Sequence, residues 1–237
     1  MLKIEHLTKV YSNGKKAVND LSLMVEPGDI YGFIGANGAG KTSTIKSIVG
    51  IHDFDKGEIY ICGHSIRKEP LLCKKKMAFL PDNPDLYKNL TARQFLDFVA
   101  DIYRVSLEKR QAAIEMYSKM FELDTSLDQL ISAYSHGMKQ RLALIAALLH
   151  EPELLILDEP FVGLDPKGAY YFKQIMRGLA SQGHAIFFST HVLEVAEELC
   201  NKVAILQKGR LVANGRTSEV KGASSLEQVF MELQEDD

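Results

Sequence analysis

The sequence has few features of a secreted or membrane-embedded protein. Its three cysteines, Cys62, Cys73 and Cys200, are an odd number without the spacing of a metal site, so we predict free thiols in a reducing cytosol. No run reaches the ~18 apolar residues of a membrane span, and the segment MLKIEHLTKVY lacks the apolar core of a signal peptide. If this protein works at a membrane, we expect another chain to span it.

The sequence also lacks an excess of either charge. It has 28 Lys and Arg against 31 Asp and Glu, a net charge of −3, so its composition provides no general attraction to nucleic acid or to an anionic membrane. The fractions of hydrophobic residues, 46%, and of charged residues, 25%, are typical of globular proteins. A chain of 237 residues is long enough for one large domain or two small ones.

Hydrophobic patterning predicts an α/β core. Strand patterns and turns alternate over residues 1–35, a helical pattern follows in TSTIKSIVG, and another strand and turn lie in GEIYICGHSI. ELLILDEP and HAIFFST are continuous apolar runs typical of buried parallel strands, with a helical pattern between them. VAILQKGRLVANG predicts a hairpin that turns at Lys208 and Gly209.

The middle of the chain has a helical pattern instead. Thr91 and Gln94 have the spacing of a capping box, and further helical patterns cover residues 107–121 and 127–149. From Ser225 onward we predict a short amphipathic helix with a frayed acidic end. The predicted parts of this single domain are an α/β core at about 1–84 and 151–220, a helical subdomain at about 85–150, and a C-terminal helix and tail at 221–237.

The segment GANGAGKT, residues 35–42, has the pattern G-x-x-x-x-G-K-[ST] of a phosphate-binding loop. Its glycines allow backbone N–H groups to surround phosphate oxygens, Lys41 can bridge the β- and γ-phosphates, and the Thr42 hydroxyl can bind Mg²⁺. A glycine-rich turn before a helix is the alternative, but such a turn does not require Lys and Thr at this offset. The residues predicted to bind the phosphates are Gly35, Ala36, Asn37, Gly38, Ala39, Gly40, Lys41 and Thr42.

Two acidic residues end the buried strand pattern LLILDEP. Ligands of open α/β sheets bind outside the carboxyl ends of the strands, and adjacent strand residues point to opposite sides. Asp158 is therefore predicted to hold Mg²⁺, and Glu159 to position or deprotonate a water molecule. The alternative is that the two acids have no role beyond following a strand. The presence of the phosphate-loop motif in the same chain argues against it.

The segment AYSHGMKQRL, residues 133–142, begins a predicted helix in an unusual way. Ser135 is a suitable N-cap. Gly137 is a poor helix former, and neither Gly137 nor His136 is needed for capping. This first turn therefore indicates a role beyond starting a helix.

Together, these three segments resemble the ATPase subunits of ABC (ATP-binding cassette) transporters. The family's signature segment, usually Leu-Ser-Gly-Gly-Gln, stands here as residues 134–138, YSHGM. The resemblance covers essentially the whole chain in the right order. It implies a P-loop NTPase fold of the α/β class, with an antiparallel β subdomain and an inserted helical subdomain.

The resemblance also implies roles for residues elsewhere in the sequence. Tyr11 stands where the family has an adenine-stacking aromatic residue, and Ser43 stands at a position that contacts the α-phosphate. FVGLDP matches the family's D-loop with Asp165 as its acid, and FFSTH places His191 at the switch histidine. Packing is the alternative role for Tyr11.

Two positions depart from the family pattern. The family usually has Gln in the loop that joins core and helical subdomain, where Asp82 stands here. Aspartate is also a hard oxygen ligand, so we predict Asp82 as a further Mg²⁺ ligand. His136 replaces the first signature glycine: either it points away from ATP, or it lies near the nucleotide and makes dimer closure sensitive to pH. LPDNPDLYKNLT and SHGMKQR resemble the export branch, whose membrane subunits are separate chains.

The resemblance implies an ATPase that uses ATP and Mg²⁺ and drives a separate transmembrane permease, to which it binds at the inner face of the cell membrane. Two copies, or one copy and a homologous subunit, would enclose two ATP molecules. Ser135 and Gly137 of one subunit would face the phosphate loop of the other. Catalysis would rest on Glu159, Lys41 and His191.

Two other classes of ABC protein remain as alternatives. A soluble ATPase that acts on DNA or ribosomes usually has a coiled-coil insertion or tandem cassettes, which this sequence lacks, and we predict no nucleic-acid partner. A subunit that binds ATP without hydrolysing it would not need every catalytic position that is filled here.

Overall fold

The structure, a computed structural model, describes residues 1–235 and divides into two compact units. The first contains Met1–Phe79, Glu153–Pro160 and the chain from Met176 onward, and the second contains Leu80–Pro152 and Phe161–Ile175. The predicted acidic tail at Asp236 lies outside the described residues. None of the described helices is both long and apolar enough to cross a membrane.

The strands form two sheets. Their bounds are β1 (Leu2–Val10), β2 (Lys16–Val25), β3 (Ile30–Gly35), β4 (Lys56–Ile61), β5 (His64–Ser65), β6 (Met77–Leu80), β7 (Leu154–Asp158), β8 (Ala185–Thr190), β9 (Lys202–Gln207) and β10 (Arg210–Arg216). One sheet is antiparallel, in the order β2-β1-β4-β5; the other has the order β10-β9-β3-β8-β7-β6. In the second sheet β9, β3, β8 and β7 are mutually parallel, while the β9–β10 pair is antiparallel.

The helices have the following bounds: α1 (Lys41–Ile48), α2 (Pro70–Lys76), α3 (Ala92–Ile102), α4 (Leu107–Met120), α5 (His136–Leu148), α6 (Pro166–Ser181), α7 (Leu193–Leu199), α8 (Thr217–Lys221) and α9 (Leu226–Glu235). The second unit contains α3, α4 and α5, and the first part of α6.

The parallel sheet is buried as its apolar sequence predicts. Every residue of β3, β7 and β8 is buried. Strands that are covered on both faces have continuous apolar sequences, as these three strands do. Phe33 and Phe187 on the neighbouring strands β3 and β8 pack with ring centroids 5.2 Å apart. The predicted phosphate loop and the acidic residues lie at the carboxyl edge of this buried sheet.

Local signals located several elements correctly. The hairpin turn is confirmed, with φ of +44° at Lys208 and +80° at Gly209, the left-handed values that a tight two-residue hairpin requires. The capping box is confirmed, since Gln94 N–H donates to the Thr91 hydroxyl and Thr91 N–H donates to the Gln94 side chain. The α/β class with an antiparallel sheet is confirmed as well.

One helix prediction was partly wrong. The predicted helical span 127–149 is α-helical only from His136, after a short 3₁₀ turn at Ile131–Ala133. Leu130 has extended backbone and bridges to Thr91, so the chain crosses the start of α3 before α5 can begin. Patterning also missed α2 and α7, which have only seven residues each, too few for a helical period to stand out.

Candidate nucleotide site

The loop between β3 and α1 has backbone geometry that strongly favours glycine. Gly38 and Gly40 have φ of +83° and +114°. A Cβ atom on Gly40 would overlap the carbonyl oxygen of Ala17, and one on Gly35 would lie 2.6 Å from the carbonyl oxygen of Leu206. The loop is therefore held close to the strands beneath it, with its backbone in a concave turn.

Helix α1 begins without a side-chain cap. The first amides of a helix have no acceptor within that helix, and Gly40 at the N-cap has no side chain to supply one. By contrast, hydroxyl groups of Thr91, Ser106 and Ser135 cap α3, α4 and α5. The start of α1 therefore presents N–H donors and the positive end of a helix dipole to an anion.

Lys41 brings a positive charge into this turn. Its side chain is 7% exposed, and Nζ donates to the carbonyl oxygen of Gly35 at 2.6 Å and to that of Ala36 at 3.4 Å. Nζ also lies 3.5 Å from Oε1 of Glu159. The lysine thus connects the loop with the acidic end of β7.

Asp158 and Glu159 face different partners. Strand alternation does not account for this, because β7 ends at Asp158 and Glu159, one residue beyond it, has a left-handed backbone. The buried Asp158 accepts a 2.5 Å hydrogen bond from the Ser189 hydroxyl, at the end of the neighbouring strand β8. The same hydroxyl accepts from the Glu159 N–H at 3.1 Å. Ser189 therefore fixes both acids from one position.

The Glu159 carboxylate lies between two nitrogen groups. Oε2 is 2.9 Å from Nδ1 of His191, and Oε1 faces Lys41. Glu159 has φ of +50°, a left-handed conformation that is rare outside glycine and is held here by the N–H bonds to Ser189. The chain turns at this residue and directs the carboxylate toward Lys41 and His191.

Tyr11 lies beside the start of α1, with its hydroxyl 3.0 Å from Oγ of Ser43 and 3.3 Å from Nδ1 of His52. The His52 ring meets the Tyr11 ring edge-on, with centroids 5.9 Å apart. Burial lowers the pKa of His52, and the charges of Lys46 and Lys9 lower it further. The structure thus joins Tyr11 to Ser43, and their roles toward a nucleotide stay predictions.

The sequence pattern of the ABC transporter family matches residues 18–162, more than half of the chain. This match spans the phosphate loop, the signature segment and the acidic strand end. The chain belongs to the ABC transporter family.

Full-length comparisons agree with this ABC assignment. The ABC-type transporter ATP-binding protein EcsA of Bacillus subtilis is 33% identical over 242 aligned residues, which cover 100% of this chain and 98% of EcsA. A solved structure of an ATP-binding subunit of an ABC transporter superposes with a TM-score of 0.95 at 32% identity, covering 99% of both chains. The protein is thus an ABC transporter ATP-binding subunit, of an ATPase family.

A third comparison shows the fold alone. The dimeric post-hydrolysis structure of the ATP-binding cassette MJ0796 bound to ADP and Pi superposes with a TM-score of 0.82 at 24% identity. It covers 91% of this chain and 98% of that one.

The ABC signature segment lies in the second unit. Ser135 accepts a hydrogen bond from Met138 N–H at 3.2 Å and thereby caps α5, while Gly137 occupies the first turn. Asp82 lies exposed in the loop after β6. In the D-loop, Asp165 accepts from Gly168 N–H at 3.3 Å at the start of α6. The roles of Ser135, Gly137 and Asp82 toward ATP or Mg²⁺ stay predictions.

Sequence reasoning missed two residues that organise the ABC site. Ser189 fixes both acids, and its only signal was its position two residues before His191 in FFSTH. His52 contacts Tyr11 across 41 residues of chain, and no motif marks it. Such residues act through other side chains, so only the tertiary contacts reveal them.

Proposed function

We propose that this subunit hydrolyses ATP with Glu159 as the general base and thereby powers a separate membrane permease. The observation that carries this proposal is the position of the Glu159 carboxylate between Lys41 Nζ, at 3.5 Å, and His191 Nδ1, at 2.9 Å. A carboxylate held by two nitrogen groups beside a phosphate-binding turn is suited to orient water toward a γ-phosphate and to accept its proton.

The phosphate loop and its surroundings would bind the nucleotide. The open amides at the start of α1 would hold the phosphates, and Lys41 would stabilise the charge that develops on them. His191 would contact the γ-phosphate while its Nδ1 remains against Glu159. Ser43 would contact the α-phosphate, and the Tyr11 ring would stack on the adenine, with its hydroxyl bonds to Ser43 and His52 fixing its orientation.

The oxygen donors at the sheet edge fit Mg²⁺. The Asp158 carboxylate and the Thr42 hydroxyl would hold the ion, which neutralises phosphate charge when it is bound. No group of three or more His, Cys, Asp or Glu residues suited to a metal occurs within residues 1–235. This suits Mg²⁺, which usually takes one or two protein ligands and completes its shell with water and substrate phosphates. Asp82 is proposed as a further ligand.

We also propose that the active form is a dimer that encloses two ATP molecules. The signature residues Ser135 and Gly137 stand at a helix N-terminus, which favours a γ-phosphate. The MJ0796 cassette, whose structure is a dimer bound to ADP and Pi, supports this arrangement. Both half-site motifs are present on one chain, so a homodimer would be complete, and a homologous subunit could replace one copy.

The permease partner and the direction of transport complete the proposal. We expect the subunit to lie at the inner face of the cell membrane, attached through the permease. Export is the direction that LPDNPDLYKNLT and SHGMKQR support, through their resemblance to the export branch. Co-purification of a tagged copy with a membrane protein from detergent-solubilised membranes would test the partner, and a tag recovered only in the soluble fraction would contradict it.

The variant Glu159→Gln tests the catalytic proposal. The amide keeps the size and the hydrogen-bonding ability of the side chain but cannot accept a proton from water, so we expect hydrolysis to fall about 100-fold or more while ATP binding persists. Steady-state phosphate release and calorimetric ATP binding measure the two effects. Glu232→Gln, an exposed position on α9, serves as the control. Rapid steady-state turnover by Glu159→Gln would refute the assignment.

A further inference from the structure

The side chain of His136 lies against Gly163 of the D-loop. A Cβ atom placed on Gly163, whose φ is +83°, would lie 2.8 Å from Cδ2 and 3.0 Å from Nε2 of His136. One residue further along α5, a Cβ atom on Gly137 would lie 3.0 Å from the carbonyl oxygen of Gly163. The start of the signature helix and the D-loop are therefore in close contact, and a Cβ atom at either glycine would require the facing atoms to shift.

The D-loop is also anchored at its far end. Asp165 accepts hydrogen bonds from Gly168 N–H, at 3.3 Å through its side chain, and from Ala169 N–H, at 2.9 Å through its carbonyl oxygen. Gly163 stands four residues after Glu159 in the chain. The segment that leaves the proposed general base thus runs directly to the contact with His136.

We propose that His136 is a positioning residue that braces the D-loop against the start of the signature helix. Because of this brace, a displacement of the helix start changes the conformation of the segment that leaves Glu159. The inference rests on the proposed function. In the proposed dimer the signature helix meets the partner's ATP while Glu159 serves the subunit's own ATP, so the brace couples the two sites.

The contact depends on the shape of the ring. A ring carbon and a ring nitrogen of His136 fill the space beside Gly163 that a Cβ atom would need, so a ring of similar size would preserve the brace without titrating. His136→Phe is therefore expected to behave as the wild type, whereas His136→Gly removes the brace. Loss of the brace in His136→Phe would overturn the proposal in favour of a role for imidazole protonation.

A double-mutant cycle tests the contact in the intact protein. Gly163→Ala introduces backbone strain in any background, but it meets the imidazole only when His136 is present. We expect Gly163→Ala to lower the melting temperature by about 2–4 °C more in the wild type than in His136→Gly. Equal decreases in the two backgrounds would show that the residues do not interact and would overturn the proposal.

Amide exchange and kinetics test the consequence. His136→Gly is expected to speed hydrogen exchange at residues 161–165 about tenfold and to lower kcat about fivefold while KM for ATP changes less than about twofold. His136→Phe should restore both. His6→Ala, an exposed histidine of the other unit, is the control. Unchanged exchange at 161–165 would overturn the brace, and so would a change in KM with kcat constant.

The two proposals fail in distinguishable ways. The melting and exchange measurements report on the brace even if no variant turns over ATP. Absence of hydrolysis in the wild type with its permease would refute the proposed function and leave the structural contact intact.

Discussion

At the scale of single residues, Glu159 combines a left-handed backbone with two contacts from its N–H group. Its left-handed backbone is retained because its N–H donates to both the carbonyl and the hydroxyl oxygen of Ser189. Such a conformation costs about 1–3 kcal/mol and persists only where the surroundings enforce it. Strain at this position directs one carboxylate to both Lys41 and His191.

Lys41 provides the first test at this scale. Removal of its ammonium group in Lys41→Ala should weaken ATP binding about 100-fold or more, because the phosphates lose their buried counter-charge. Calorimetric titration with ATP measures the effect, and Lys75→Ala, an exposed lysine on α2, is the control. Unchanged affinity in Lys41→Ala would count against the phosphate-loop interpretation.

Alanine substitutions at Gly38 and Gly40 of the phosphate loop distinguish the cost of backbone strain from the cost of a steric overlap. Gly38→Ala would add only the strain of its left-handed φ, since no atom lies within 4 Å of the new Cβ, whereas in Gly40→Ala the Cβ would also overlap the Ala17 carbonyl. We expect Gly38→Ala to cost about 1–2 kcal/mol and Gly40→Ala about 2 kcal/mol more. Urea unfolding of both variants measures the difference, and equal costs would contradict the packing argument.

At the scale of elements, helix starts divide into capped and open ones. Hydroxyl groups cap α3, α4 and α5, whereas α1 begins at Gly40 without a side chain. An open helix start is unfavourable for stability alone but suits an anion. Helices α2, α7 and α8 also lack a side-chain cap, so it is the position of α1 directly after the phosphate loop that makes its open start a candidate anion site.

The cap of α5 has a matched control on α3. Ser135→Ala and Thr91→Ala each remove one N-cap hydroxyl, so each should lower the free energy of unfolding by about 1 kcal/mol. Only Ser135→Ala should also slow ATP hydrolysis, because Ser135 is proposed to meet the partner's γ-phosphate. Equal ATPase rates for the two variants would contradict that role.

At the scale of the whole molecule, the signature segment and the acidic strand end belong to different compact units of one chain. The proposed dimer assigns them to different ATP molecules. Association and hydrolysis should therefore depend on each other, because ATP binds both subunits when they are together.

Dimerisation predicts a specific dependence on protein concentration. At low concentration the specific activity of the wild type should rise with subunit concentration, and Glu159→Gln should elute as a dimer with ATP and as a monomer with ADP. Size-exclusion chromatography with light scattering measures the second effect. The dimer would be contradicted if the specific activity of the wild type stayed constant over a roughly 100-fold dilution and Glu159→Gln eluted as a monomer with ATP as well as with ADP.

Local sequence patterns predicted the fold class and most residues of the candidate site. The glycine spacing, the acids after an apolar run and the signature segment are local patterns, because backbone freedom, strand burial and helix capping act over a few residues. Such patterns did not predict the short helices α2 and α7. They also placed the start of α5 too early, because Leu130 pairs with Thr91 in an extended conformation instead of joining the helix.

The contacts among these residues depend on the tertiary fold. Ser189 on Asp158, His52 on Tyr11 and His136 on Gly163 join residues 27–41 positions apart in the chain. Such contacts produce no periodic pattern in the sequence, because they depend on how separate strands, helices and loops pack. His136 was recognised in the sequence as an unusual residue of the signature turn. Its contact with Gly163 of the D-loop was not predicted, because only folding brings these two segments together.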